Sequence, residues 1–165
     1  PSEAYLCALM RDIGKLAVDC HAHVAHVGPP DDWNAHEQSG AVTPYVELER
    51  EALGADHAAI GAALAEKWGL PAPLPGAIRY HHQPPPPEDP RHHPLFDTVH
   101  AADILCLATG LGVGNDGLRY RIAPHVRATV LASHHAAAEF TAAAWSALAG
   151  IDPEFSRTGA LEPGA

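Results

Sequence analysis

The chain has 165 residues, 47% of them hydrophobic and only 6% aromatic, with a formal net charge of −10 at neutral pH. That length holds one compact domain with its own core, and an alanine-rich, aromatic-poor composition favours packed helices over strands, which draw on β-branched and aromatic side chains. The acidic balance argues against a phosphate-backbone binder, which needs clustered Lys and Arg, and no apolar run approaches the roughly 20 residues that span a bilayer.

Cys7, Cys20 and Cys106 are odd in number and scattered, with no CxxC pair. Neither a disulfide framework nor a cysteine zinc site is expected, and a reducing cytoplasm fits. The first residues are not a basic segment followed by an apolar one, so they do not read as a secretory signal. The chain opens on Pro1 instead of Met, as expected of the back part of a longer protein.

Residues 2 to about 27 carry a helical pattern. Ala4, Leu6, Ala8, Leu9, Ile13, Leu16, Ala17 and Cys20 share one broad face, Ser2 suits an N-cap, and Gly14 is the point of interruption. Inside this run lies the polar insertion Met10-Arg11-Asp12-Ile13-Gly14-Lys15-Leu16. Gly28-Pro29-Pro30-Asp31-Asp32 opens a polar loop to about residue 42. Thr43 as N-cap and Pro44 in the first position begin a second helix that Gly54 closes; its Glu47, Glu49, Arg50 and Glu51 read as a solvated face. Asp56 caps a third helix to Trp68, stopped by Gly69-Leu70-Pro71.

Pro73 or Pro75 starts a short helix bearing Ile78, Arg79, Tyr80, His81 and His82. The four prolines at 84–87 end it and should run extended to about residue 94. Asp97 then caps a helix to about residue 111, with Val99, Ala102, Leu105 and Cys106 inward. The glycine-rich residues 110–117 lack a Gly-Lys-Ser/Thr ending and follow a helix, so they read as a linker and not as a phosphate loop. An alanine-rich helical region from 124 to 148 ends at Gly150, and a loose tail follows. The expectation is a single all-α domain over residues 1–150.

Thirteen histidines are a several-fold excess, but position discriminates among them. His21, His23, His26, His36, His92, His93, His125, His134 and His135 fall where a solvated or capping role is expected. His57 instead opens a helix, Asp12 interrupts an apolar helix face, and His81-His82 end a helix before a proline stop. Asp103 lies three residues after His100 inside an apolar helix. Polar and charged groups in such settings need a partner or a metal.

In order and with suitable spacing, Asp56-His57-Ala58-Ala59-Ile60-Gly61, Glu66-Lys67-Trp68-Gly69-Leu70-Pro71, Ala77-Ile78-Arg79-Tyr80-His81-His82 and Val99-His100-Ala101-Ala102-Asp103-Ile104-Leu105 resemble the HDOD family of bacterial signalling domains. The resemblance covers residues 3 to about 111. The family is a branch of the HD superfamily of metal-dependent phosphohydrolases. It implies a multi-helix HD-type bundle, here the C-terminal part without its upstream helices. It also implies a site in which Asp12 is a bridging carboxylate, His57, His81 and His82 hold one divalent ion, Asp103 holds another, and Lys15 steadies a phosphate. Manganese, iron, magnesium, zinc or nickel would suit such donors, and the bound ions would lower the pKa of bound water and clamp phosphate oxygens.

The sequence departs from that scheme at Arg11, which stands where the first histidine of the His-Asp pair belongs. A guanidinium has no lone pair for a metal and repels one. One ion site is therefore expected to be lost, with Arg11 paired to Asp12 or Asp103. Gln83-Pro84 after the double histidine, and the lack of any Gly-Tyr-Pro, disfavour cyclic-dinucleotide hydrolysis. The resemblance thus points to a regulatory module with a degenerate metal site. It would carry no ion or one, and act through contacts with signalling proteins, with fused sensory or effector domains, or with a second copy of itself. No nucleic acid and no membrane are expected as partners. The alternative is a phosphohydrolase of nucleotides or phosphodiesters that keeps one ion on Asp12, His57, His81 and His82 and grips phosphate with Arg11 and Lys15. Merely scavenged ions would map to His92, His93, His134 and His135.

Overall fold

The computed structural model describes residues 2–25, 45–108, 121–129 and 134–149. The loop expected at 28–42, the glycine-rich residues 110–117 and the tail from 152 lie outside these. Eight helices and no strand occur among the described residues: α1 (Ser2–Met10), α2 (Ile13–Ala25), α3 (Tyr45–Leu53), α4 (His57–Lys67), α5 (Leu74–Tyr80), α6 (Pro94–Ala108), α7 (Pro124–Thr129) and α8 (His134–Ala149). The all-α bundle expected from composition is what forms. None of these helices is long and apolar enough to cross a membrane.

Local chemistry sets most of the boundaries. Asp56 has an extended backbone and accepts the Ala59 amide on its carboxylate at 2.7 Å, which starts α4. Two amides past the other end fold back, Gly69 N to Glu66 O and Leu70 N to Ala65 O, both at 3.0 Å. With Gly69 at a φ of 67°, this is a Schellman stop, in which the left-handed position belongs to glycine.

Two boundaries differ from expectation. The apolar run of the first segment breaks at Arg11-Asp12, between α1 and α2, and not at Gly14. The α6 helix starts at Pro94, before Asp97; its cap is His93, whose Nδ1 accepts the Leu95 amide at 3.2 Å. The proline tract likewise does not stay extended to residue 94. Asp89 bends it, accepting Arg91 N on its side chain at 2.8 Å and His92 N on its carbonyl at 2.9 Å, as an Asx turn does.

Small residues bring the helices together. Cys7 of α1 is buried against Ala77 of α5 and Phe96 and Val99 of α6, while Ala62 and Ala65 of α4 pack on Ile78 of α5 with Met10 and Ile13 alongside. The tightest contact is the crossing of α2 over α4. A Cβ at Gly14 would lie 1.9 Å from the His57 carbonyl oxygen and 2.7 Å from Gly61 N, and one at Gly61 would lie 3.0 Å from Gly14 N. All three cysteines are free. Tyr5, Leu6, Leu9 and Leu16, by contrast, are exposed, so the leucines of the expected apolar face do not point into this core.

Gly14→Ala should therefore push α2 off α4. Overpacking against backbone that cannot swing aside costs about 1–3 kcal/mol, so the midpoint of urea unfolding should fall; an unchanged midpoint would mean that the crossing is not as tight as the structure has it.

Candidate metal centre

The α2–α4 crossing carries Asp12 to His57, and the C-terminal end of α5 delivers His81 and His82 to the same point. One donor atom from each of Asp12, His57, His81 and His82 lies within 4.8 Å of every other. His57 Nε2 is 3.5 Å from Asp12 Oδ1 and 2.9 Å from His82 Nε2, and His81 Nε2 is 3.7 Å from Asp12 Oδ1. Ligand atoms about 2.1 Å from a single ion stand roughly 3.0 Å apart at right angles and roughly 3.4 Å apart at tetrahedral angles. The spacing fits one shared cation.

The proton positions fit as well. His81 Nδ1 donates to the Ile78 carbonyl at 2.7 Å, which leaves the Nε2 lone pair facing Asp12. That Nε2 is buried without a hydrogen-bond partner, an arrangement that costs free energy unless a cation completes it. Burial chiefly, with some repulsion from His57, lowers the His81 pKa to about 4 against the pull of Ile78 and Asp12. Burial also lowers that of His82, helped by repulsion from His81 and His57. Both rings are neutral at pH 7 and offer lone pairs in place of charge.

Sequence reasoning missed the residue behind His57. Glu49, expected on a solvated face, is only 1% exposed, and its Oε2 accepts both His57 N at 2.8 Å and His57 Nδ1–H at 2.6 Å. With that proton fixed on Nδ1, the 2.9 Å contact between His57 and His82 has His82 as donor, and a cation would displace that proton. A carboxylate behind a ligating imidazole fixes its tautomer and raises its basicity. The available signal was register: Glu49 lies three residues after buried Val46, on the same inward face of α3. The rest of the charged run behaves as expected: Glu47 and Glu51 are exposed, and half-exposed Arg50 pairs with the buried carboxylate of Asp56.

Asp103 does not join the four. Its Oδ1 accepts Arg11 Nε at 2.7 Å, while Arg11 Nη2 lies 3.3 Å from Asp12 Oδ2 and Nη1 donates to the Ala8 carbonyl at 2.8 Å. Burial disfavours this guanidinium, but Asp103 and Asp12 outweigh it and raise the pKa of Arg11 further. Lys15 Nζ lies 3.0 Å from Asp12 Oδ1. Burial raises the Asp12 pKa, Lys15 and Arg11 lower it more, and the net shift is downward, so the carboxylate stays ionised. Buried His100 locks the frame from behind: Nδ1 donates to the His81 carbonyl at 2.7 Å and Nε2 accepts Ala123 N at 3.0 Å.

The model of the HDOD domain matches residues 1–84. The chain belongs to the HDOD domain family. The matched span holds Asp12, His57, His81 and His82 and stops before the Val99–Leu105 stretch that carries Asp103. A protein of Treponema pallidum (strain Nichols), named only as an uncharacterized protein, is 33% identical over 103 residues, which are 62% of this chain and 19% of that relative's length. No solved structure matches the chain.

Glu49→Ala should weaken divalent-ion affinity at this centre by about 10–100-fold, the usual effect of removing the partner of a ligating histidine. Isothermal titration checks this; unchanged affinity in a folded variant would show that Glu49 does not orient His57.

Proposed function

We propose that this HDOD chain is a regulatory module that keeps one divalent ion on Asp12, His57, His81 and His82 while Arg11 fills the place of a second. The carrying observation is the Arg11 bridge between Asp12 and Asp103. A fixed, partly desolvated guanidinium neutralises the two carboxylates that a second ion would need, and it cannot itself ligate or activate water. Phosphodiester hydrolysis of the two-metal kind requires both ions to clamp the attacking and leaving oxygens. The remaining ion then ties α2, α4 and α5 together, and the output is conformational. The exposed side chains of Tyr5, Leu6, Leu9 and Leu16 support protein contacts as the route of that output, either with signalling partners or with a second copy.

A one-ion phosphohydrolase is the second reading. It is favoured by a cleft of about 300 Å³ beside His82, walled by Arg50, Arg79, Tyr80 and Gln83, where an anionic substrate would enter. Against it, Arg50 pairs with Asp56, Arg79 pairs with Glu66, and all three side-chain nitrogens of Arg11 already face protein oxygens. The positive groups are spent on the fold.

Arg11→His separates the two ideas. The variant should take up one more manganese or zinc ion per chain than the wild type by elemental analysis or, without metal, unfold at lower urea concentration; neither change would contradict the role given to Arg11. The metal-loaded wild type should leave a panel of nucleotides and phosphodiesters intact, and turnover abolished by His81→Ala would instead establish the hydrolase.

A further inference from the structure

Three residues expected to be solvated or to cap a helix meet in a different way on the far side of His100. Asp97, in the first turns of α6, is 7% exposed. Its Oδ2 lies 3.0 Å from His92 Nε2 and its Oδ1 lies 3.1 Å from His125 Nε2. The two imidazoles come from the turn before α6 and the start of α7, and both are largely buried. Neither is a surface histidine, and Asp97 is not a cap.

We propose that His92, Asp97 and His125 form a second cation site, independent of the one at Asp12, that takes an ion of the zinc class. One donor atom from each residue lies within 4.8 Å of the other two. The rings stand 75° apart with centroids at 6.2 Å, so the two nitrogens converge on the carboxylate from different directions. The 3.0 and 3.1 Å separations match neighbouring ligands at right angles around one ion, roughly 3.0 Å for bonds of about 2.1 Å. Two imidazoles and one carboxylate suit zinc, cobalt or nickel better than magnesium or calcium, which prefer all-oxygen shells. Without an ion, both rings must carry their proton on Nε2 to satisfy Asp97; an ion replaces both protons and leaves its remaining positions to water.

The local sequence builds this geometry for reasons other than capping. Asp89 turns the chain so that His92 faces α6, His93 takes over the cap, and Pro124 begins α7 one residue before His125. The ion would fasten α7 to α6 where Ala123 N already donates to His100, the residue that holds the His81 carbonyl.

The test is a zinc titration of chelator-stripped protein in wild type, His81→Gln, His92→Gln, His125→Gln and the His81→Gln/His92→Gln pair, with helicity followed by circular dichroism. Glutamine retains an N–H for Asp97, so the fold should persist. Two zinc ions per wild-type chain are expected, one in each single variant and none in the pair, and zinc should still raise the melting temperature of His81→Gln. X-ray absorption of one-zinc His81→Gln should show imidazole and oxygen ligands. If the centre at Asp12 were the one in error, the wild type would bind one zinc, lost in His92→Gln and kept in His81→Gln. Zinc uptake unchanged in His92→Gln and His125→Gln, or removed only by changing His134 and His135, would overturn the proposal.

Discussion

The approach of α2 to α4 sets the position of every group at the centre. Because Gly14 and Gly61 carry no Cβ, the two backbones touch, and Asp12, two residues before Gly14, is laid against the first turn of α4, where His57 stands. The α5 helix packs on the alanine face of α4 through Ile78, so His81 and His82 follow on its last turn in fixed register. A side chain at the crossing would separate the carboxylate from all three imidazoles at once. The geometry of these four donors is thus a consequence of helix packing among the described residues.

Charge balance is the second constraint. Each buried or half-buried carboxylate around the centre has its own answer: Arg11 and Lys15 for Asp12, Arg11 again for Asp103, the two N–H groups of His57 for Glu49, Arg50 for Asp56. The imidazoles are kept neutral by burial where their pKa is resolved, as at His81, His82 and His100. Such a core stays closed with Arg11 as its resident cation and still presents lone pairs to one more. Arg11 is a tethered positive charge held between Asp12 and Asp103.

Much of this was legible in the sequence because it rests on local rules. Asp56 as a cap, Gly69 as a stop and the helical class follow from capping chemistry, glycine preference and composition, and polar residues in apolar helices marked Asp12, His57, His81 and His82, whose grouping at one site was what the HDOD resemblance implied. Arg11 was expected to pair with Asp12 or Asp103, and the structure has it meet both. What escaped depends on tertiary contacts. Glu49 looks like one more charge in an acidic run until α3 is seen to face α4. Asp97 has the right residue type for a cap, yet His93 takes that role and leaves the carboxylate to His92 and His125. The break at Arg11-Asp12 precedes the glycine because Gly14 serves the helix crossing and not a turn. The apolar spacing of Leu6, Leu9 and Leu16 showed a face but could not tell whether this core or another surface receives it.

The most direct measurement is anomalous diffraction from crystals soaked in a manganese or zinc salt, with data recorded on both sides of the absorption edge. One peak enclosed by Asp12, His57, His81 and His82, with the Arg11 guanidinium still lying between Asp12 and Asp103, is the predicted result. Two peaks about 3.5–4 Å apart, as in two-metal sites, with Arg11 turned away, or no peak among those four residues, would contradict it.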